Sequence, residues 1–508
     1  MFQAFFPYIL RNLLYYIFHL CYDIKNIHLQ EHTILWHSPP ARRIYYNKSM
    51  SSINWKEIFC QLKDFIKMSV KKYTLFVLRL SPHQNLLQGI VMYTFLGWIA
   101  LSLPFMKTQS VGWLDNLFTA ASAASTTGLT SVNFADSYSF LGKLVVLFMI
   151  QVGGLGYMTM SSFLYLSTSR RWRPHQTEVL TAEFSLPQTL DLHDFLRAAM
   201  IFTAVVESVG AVLLFNYFMH HDFGIFQAAW YSIFHSVSAF CTAGFSLWSD
   251  SLTGFYDSKT VNIIIMGLSL AGSMGFIVVT DIFNWVTRRA KEISYTTKII
   301  VLATTVLLAF GSLIVFITNP EMNLWESVFQ CTAAMTTSGF NTVSISSMSS
   351  CSLLILAMLM SIGGAPSGTG GGIKCTAVTS VFAILYSQLM GYKHISFLGR
   401  RIPLRRIYLA TSTFIFYAIL LFICLFWLSF TEEGKPFLNL VFEAAAALGT
   451  AGMTMDFTPQ LSAWGKGIII IAMIIGRVGV ITFGLALLDI GDDDDEAPEP
   501  TRKADLAI

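Results

Sequence analysis

Residues 336 to 342 read TTSGFNT: two threonines, a serine and a glycine that interrupt an otherwise apolar stretch. The same interruption occurs four times. It reads Thr126-Thr127-Gly128-Leu129, Thr242-Ala243-Gly244-Phe245, Thr337-Ser338-Gly339-Phe340 and Thr450-Ala451-Gly452-Met453. The shared form is threonine, small residue, glycine, large apolar residue.

A second element follows each copy. It reads Val152-Gly153-Gly154-Leu155-Gly156, Ala271-Gly272-Ser273-Met274-Gly275, Ile362-Gly363-Gly364-Ala365-Pro366 and Ile475-Gly476-Arg477-Val478-Gly479. From the glycine of the first element (Gly128, Gly244, Gly339, Gly452) to the first glycine of the second, the offsets are 25, 28, 24 and 24 residues. Two coupled motifs in four copies at near-constant offset define an internal repeat.

The composition says what each repeat is made of. The chain is 54% hydrophobic and 12% charged, with a mean hydropathy of +0.57. Soluble domains carry about twice that charge. Each repeat opens with an apolar span, at about 86–105, 197–218, 298–318 and 407–430. A short apolar stretch then ends at the Thr-x-Gly (113–125, 224–241, 323–336, 436–449), and a second long span follows (139–166, 260–286, 350–390, 463–489). The middle stretch is too short to cross a bilayer of about 20 residues' depth, so a re-entrant helix is expected. Its irregular end must be buried in protein or line water, because lipid cannot satisfy a bare backbone. The fold class expected is therefore an all-α polytopic membrane protein of four tandem repeats around one central pore.

Basic residues orient it. Arg170, Arg171, Arg173, Arg288, Arg289, Lys291, Lys393, Arg400, Arg401, Arg405 and Arg406 fall in the loops between repeats, whereas the Thr-x-Gly loops hold scattered lysines such as Lys107 and Lys435. The first set belongs on the cytoplasmic side. Both termini are then cytoplasmic and the Thr-x-Gly turns face outward.

Four re-entrant helices meeting at one axis bring their C-terminal ends together, each carrying about half a negative charge, which favours a cation. Glycine permits the positive φ that turns backbone carbonyls inward, where they can replace an ion's water shell. The threonine hydroxyl can add an oxygen at the lower mouth. None of the four tetrapeptides holds a charged side chain. That favours a dehydrated monovalent cation over Ca²⁺ or Mg²⁺, which want carboxylates or retained waters.

These motifs make the chain resemble the Trk/Ktr/HKT superfamily of potassium transporters over about residues 80 to 490, and in particular the pore-forming membrane subunit of bacterial Ktr/Trk uptake systems. The resemblance implies a K⁺-channel-like fold of four M1–pore helix–M2 units. It implies that Gly128, Gly244, Gly339 and Gly452 are the glycines critical for K⁺ over Na⁺, with K⁺ held at filter backbone carbonyls. It further implies uptake of K⁺ across the plasma (inner) membrane, a homodimer with one pore per subunit, and a cytosolic nucleotide-binding regulatory ring docked on the cytoplasmic face. A Na⁺- or H⁺-coupled K⁺ symporter is the alternative reading. No enzymatic activity, no nucleic-acid partner and no cofactor is expected in this chain, beyond transported K⁺ with Na⁺ as a second candidate ion.

GGAPSGTGGGIK, residues 363 to 374, breaks the second span of repeat three: six glycines and a proline cannot sustain a helix. A flexible linker between half-helices is one reading. The other is a movable intramembrane gate under the filter, comprising Gly363, Gly364, Pro366, Gly368, Gly370, Gly371, Gly372 and Lys374. The superfamily has such a loop there. The P-loop pattern fails, because Ile373 separates Gly372 from Lys374. Arg477 occupies the position of Gly154, Ser273 and Gly364 in the other repeats. Mid-span, an unpaired arginine costs about 2.5–3.5 kcal/mol, so it should face a cavity or a partner. The superfamily carries an arginine here that is implicated in gating.

Weaker signals are Glu207 and Glu443 inside apolar helices, and Asp136, Asp250 and Asp456 after the filters. The seven cysteines show no metal-ligand spacing. Pore repeats are expected at 81–168, 195–287, 296–390 and 405–490. Residues 1–80 form an N-terminal cytoplasmic or interfacial extension: an apolar start interrupted by Arg11, with no cleavage site of a signal peptide, then a basic amphipathic stretch from Lys56 to Arg79. Residues 491–508 form an acidic tail expected to be disordered.

Overall fold

The structure is a computed structural model and describes residues 80–156, 192–221 and 223–488. The N-terminal extension, the loop with Arg170, Arg171 and Arg173, and the acidic tail lie outside the described residues, as do the expectations placed on them.

In repeat one, α1 (Pro82–Ser102) is followed by α2 (Trp113–Ala124) and α3 (Phe140–Leu155). Repeat two holds α4 (Leu192–Met219), α5 (Ile225–Phe240), α6 (Lys259–Ser273) and α7 (Phe276–Val286). Repeat three holds α8 (Tyr295–Thr318), α9 (Leu324–Met335), α10 (Ser350–Ser361) and α11 (Cys375–Leu389). A two-stranded antiparallel hairpin, β1 (Ser396–Phe397) and β2 (Arg400–Arg401), pairs Ser396 with Arg401 and leads into repeat four. There α12 (Leu404–Thr431), α13 (Phe437–Leu448), α14 (Ala463–Val478) and α15 (Val480–Leu488) complete the described residues.

Helix length separates the roles. The opening helices α1, α4, α8 and α12 have 21, 28, 24 and 28 residues and the hydropathy to cross a membrane. The second helices α2, α5, α9 and α13 have 12, 16, 12 and 12 residues. At about 1.5 Å per residue, twelve residues reach about 18 Å, well short of a hydrocarbon core of about 30 Å. These short helices are buried instead, through small side chains such as Ala120, Ala121, Ser122 and Ala123 in α2 and Ala444 to Ala447 in α13. Small residues let backbones approach closely where packing must hold helices together. Large apolar side chains such as Phe148, Phe310, Phe422 and Trp427 lie exposed on the outside, where a lipid-facing surface needs no polar cover.

The third helix of each repeat starts the same way. Ser139, Ser258, Ser349 and Ser462 each accept the backbone N–H three residues on, from Gly142, Val261, Ser352 and Gly465. Each satisfies one of the donors left bare at a helix start.

The second spans depart from the sequence expectation. The stretches 260–286 and 463–489 read as continuous crossings, with a break only in repeat three. The structure bends both: α6 to α7 by 95° and α14 to α15 by 98°. The bend sits at the last glycine of the second element, Gly275 (φ 83°) and Gly479 (φ 93°). Gly156, at the same place, ends α3 with φ 86°. Apolar composition runs unbroken through each bend, so hydropathy does not register it. The first glycine of the element has another role. A Cβ on Gly153, Gly272 or Gly476 would run into the carbonyl of Ala124, Phe240 or Leu448, the end of that repeat's own short helix.

Candidate functional site

Each short helix ends in the same two-bond turn. The N–H of Thr126, Thr242, Thr337 and Thr450 reaches back three residues, at 3.2, 3.1, 3.1 and 3.1 Å. The next N–H, from Thr127, Ala243, Ser338 and Ala451, reaches back five, at 2.8, 2.8, 2.9 and 2.8 Å. This is the Schellman cap, whose first residue past the helix is left-handed and usually glycine. Here it is threonine, at φ 52°, 52°, 56° and 50°. A β-branched residue in that region is strained, which points to a constraint on the side chain itself. The sequence reading assigned positive φ to the glycines alone. They adopt it too, at φ 93°, 65°, 75° and 71° for Gly128, Gly244, Gly339 and Gly452.

The four turns close into a ring. A Cβ built on Gly128 would strike the carbonyl oxygen of Ala243. On Gly244 it would strike that of Ser338, on Gly339 that of Ala451, and on Gly452 that of Thr127. Each glycine is thus pressed against the neighbouring repeat's carbonyl, in the cyclic order one, two, three, four, one. Leu129, Phe245, Phe340 and Met453, the residues after the glycines, are all buried.

Behind the ring lies a set of braces that sequence reasoning largely missed. Nine residues before the glycine of each turn, the short helix carries a buried polar side chain: Thr119, His235, Gln330 and Glu443. The single Tyr138 Oη hydrogen is shared between Asn116 Oδ1 at 3.0 Å and Thr119 Oγ1 at 3.2 Å. His235 contacts the Tyr231 carbonyl through Nδ1 at 2.8 Å and accepts the Leu247 N–H at Nε2 at 3.3 Å, which puts its proton on Nδ1. Gln330 Nε2 donates to Thr342 Oγ1 at 3.0 Å. Glu443 accepts from Thr454 Oγ1 at 3.0 Å and from Thr458 Oγ1. Aligning the short helices on their glycines exposes this position, but the four residue types differ, so composition alone hides it. Glu207, the other acid noted inside an apolar helix, is half-buried and lies 3.7 Å from the Cys241 thiol. Of the acids that follow the turns, Asp136 and Asp250 accept from near neighbours, Asn133 and Thr253, whereas Asp456 of repeat four accepts from Ser346 of repeat three.

The glycine-rich segment between α10 and α11 lies directly under the threonines. It is pinned to the bend of repeat two, with Ala365 N–H on the Ser273 carbonyl at 2.9 Å, Thr369 N–H on the Gly272 carbonyl at 3.1 Å, and Phe276 N–H on the Ser367 carbonyl at 3.2 Å. Gly364 packs on Ser273, and the Pro366 carbonyl packs on Gly275. Gly368 N–H bonds the Ala365 carbonyl at 3.2 Å, and Gly363 lies against Gly371 and Gly372, the last with φ 67°. Lys374 Nζ donates to the Gly370 carbonyl at 2.6 Å. Upward, Thr369 Oγ1 lies 3.1 Å from Thr242 Oγ1, and Gly371 N–H donates to Thr337 Oγ1 at 3.3 Å.

Arg477 ends α14 beside this segment. Its Nη1 donates to Thr126 Oγ1 at 3.1 Å and to the Thr369 carbonyl. Its Nη2 donates to the carbonyls of Gly153 and, at 2.8 Å, Gly154. The structure thus brings together Arg477, the segment and the threonines of all four turns. Thr369, which touches both Arg477 and Thr242, was not singled out from the sequence.

Residues 82–490 match the model of the TrkH family, described as cation transport protein. The chain is 33% identical to Ktr system potassium uptake protein B of Bacillus subtilis, over 80% of this chain and 92% of that protein. It is 31% identical to Potassium/sodium uptake protein NtpJ of Enterococcus hirae, over 81% and 93%. The crystal structure of the potassium transporter TrkH from Vibrio parahaemolyticus superposes with a TM-score of 0.61 at 19% identity, covering 80% of this chain and 85% of that one.

Proposed function

The chain belongs to the TrkH family of cation transport proteins, and we propose that it takes up K⁺ through the ring of Thr-x-Gly turns, with the segment 363–374 and Arg477 as the gate. The observation that carries this reading is the closed ring of four glycines, each against the next repeat's carbonyl. Four short helices direct their C-terminal ends at that ring, which lowers the energy of a cation there. The backbone carbonyls supply a dehydrated ion with oxygen ligands. Relatives named for potassium uptake support K⁺ as the ion.

The gate acts by obstruction and by charge. Backbone of residues 369–371 lies under the threonines, and a guanidinium beside it opposes a passing cation. Opening requires the loop to leave its contacts with Ser273, Gly272 and Thr337. A partner would achieve this by binding the open form more tightly. The proposal includes a homodimer and a cytosolic nucleotide-binding regulatory ring, as in the superfamily the sequence resembles. The proposal puts the gate on the cytoplasmic side of the plasma membrane, a reading supported by the basic loops between repeats. An inside-negative potential of 100 mV is worth about 2.3 kcal/mol per charge, enough for roughly fortyfold accumulation.

Coupling to Na⁺ or H⁺ is the second reading, favoured by the relative named for potassium and sodium together. Flux of K⁺, Rb⁺ and Na⁺ into proteoliposomes tests both. Uptake that follows the K⁺ gradient and potential alone supports a uniporting pore. A reversal potential that moves with Na⁺ or pH supports coupling. Absence of flux in folded protein overturns the proposal.

A further inference from the structure

The gate touches the filter at the threonine hydroxyls. A hydroxyl has one hydrogen and two lone pairs. Thr126 Oγ1 donates its hydrogen to the Ser125 carbonyl at 2.7 Å and accepts from Arg477 at 3.1 Å. Thr337 Oγ1 accepts the Gly371 N–H at 3.3 Å, and Thr242 Oγ1 lies 3.1 Å from Thr369 Oγ1. Three of the four hydroxyls therefore touch the gate: Thr126 and Thr337 accept a hydrogen from it, and Thr242 donates to Thr369. The Thr450 hydroxyl is fully buried and, among the described residues, has no hydrogen-bond partner. Gly371 is packed against it, so tightly that a Cβ there would overlap the Thr450 side chain. An unpaired buried hydroxyl costs about 1–3 kcal/mol. All four of these threonines share the same strained backbone, with φ near 50°.

Resting on the pore reading above, we infer that the closed gate and a monovalent cation compete for the same ring of threonine hydroxyls. The gate closes by taking the ligands of the lowest ion position as well as by blocking the path. Arg477 donates into a lone pair that a cation would use and adds a positive charge to the same place. The orphaned Thr450 oxygen is what remains of the ion's ligand set while the gate is shut. Linkage makes the competition reciprocal: loop closure weakens K⁺ binding, and K⁺ arriving at the lowest position favours the open loop. Filling of the filter from outside would thus help to open it.

The test measures K⁺ binding to the full-length chain in detergent by calorimetry, beside Rb⁺ flux in proteoliposomes. Thr369→Val changes no charge and removes the gate oxygen to which the Thr242 hydroxyl donates. Arg477→Ala releases Thr126. Both should raise flux and tighten K⁺ binding by about fivefold or more, the ordinary size of a coupling between sites. Adding Thr450→Val to Thr369→Val should cancel part of the tightening, since the freed ring then lacks one oxygen. Higher flux with an unchanged Kd for K⁺ in Thr369→Val would overturn the competition and leave the gate intact as a plain obstruction. Unchanged flux in both Thr369→Val and Arg477→Ala would overturn the gate reading and this inference with it.

Discussion

The Arg477 guanidinium donates to the Thr126 hydroxyl at 3.1 Å, joining two residues 351 positions apart in sequence. The contact links the end of the fourth repeat to the first turn of the ring, and the same guanidinium holds the Thr369 carbonyl of repeat three. A central arginine in an apolar span thereby finds four oxygen acceptors, which offsets its cost of about 2.5–3.5 kcal/mol.

Shortening the segment within 366–372, or Arg477→Ala, is expected to raise K⁺ flux while leaving the K⁺/Na⁺ ratio largely as it is. The two changes together should give less than the product of their separate effects, because they remove one shared barrier. Flux measured in proteoliposomes decides it. A fall in both well-expressed variants, or a collapse of selectivity, would mean that the segment supports the filter and does not gate it.

Serine at Gly128, Gly244, Gly339 or Gly452 meets two penalties. The backbone there has positive φ, and the added Cβ strikes a neighbouring carbonyl. Relief must come from moving that carbonyl, which belongs to the adjacent repeat. Each variant should lose about tenfold in K⁺/Na⁺ discrimination, equivalent to about 1.4 kcal/mol. Competition of Na⁺ against Rb⁺ uptake measures this, and four unchanged ratios would defeat the filter assignment.

The braces behind the ring make a separate prediction. Gln330→Leu removes the 3.0 Å bond to Thr342 and leaves that hydroxyl without the amide. Glu443→Ala leaves the buried Thr458 hydroxyl and the half-buried Thr454 hydroxyl without their acceptor, whereas Glu443→Gln retains a polar partner. Selectivity should fall in the order wild type, Glu443→Gln, Glu443→Ala, alongside a loss of stability of about 1–3 kcal/mol per abandoned buried polar group. Equal selectivity across the series would show that these side chains do not position the filter.

Lys466 on α14 bonds Asp115 on α2 at 2.8 Å, and Ser131 holds the same carboxylate oxygen at 2.7 Å. Their side chains are 15% and 21% exposed, enough burial for a charged hydrogen bond to matter. Lys466→Met should destabilise the folded chain by about 2 kcal/mol. The readout is a lower denaturation midpoint in detergent, and an unchanged midpoint would place the pair among those that contribute nothing.

The fourfold repeat was legible in the sequence because Thr-x-Gly and the glycine element recur at nearly fixed offsets and the hydropathy between them sorts long helices from short ones. The bends at Gly275 and Gly479 were not, because a single glycine inside an apolar run changes φ without changing hydropathy. Nor was the left-handed threonine, since local preference places glycine there and tertiary closure of the ring overrides it. The contact of Thr369 with Thr242 depends on a fold that brings residues 127 positions apart within 3.1 Å. Spacing along the chain carries no trace of it.

The central claim is that four turns form one cation-selective ring. The purified chain reconstituted in proteoliposomes, with Rb⁺ uptake competed by K⁺ and by Na⁺ in wild type and Gly339→Ser, tests it most directly. The account predicts Rb⁺ uptake that K⁺ suppresses far more effectively than Na⁺, and a narrowed difference in Gly339→Ser. Folded wild-type protein that carries no Rb⁺, or that K⁺ and Na⁺ compete equally, would contradict it.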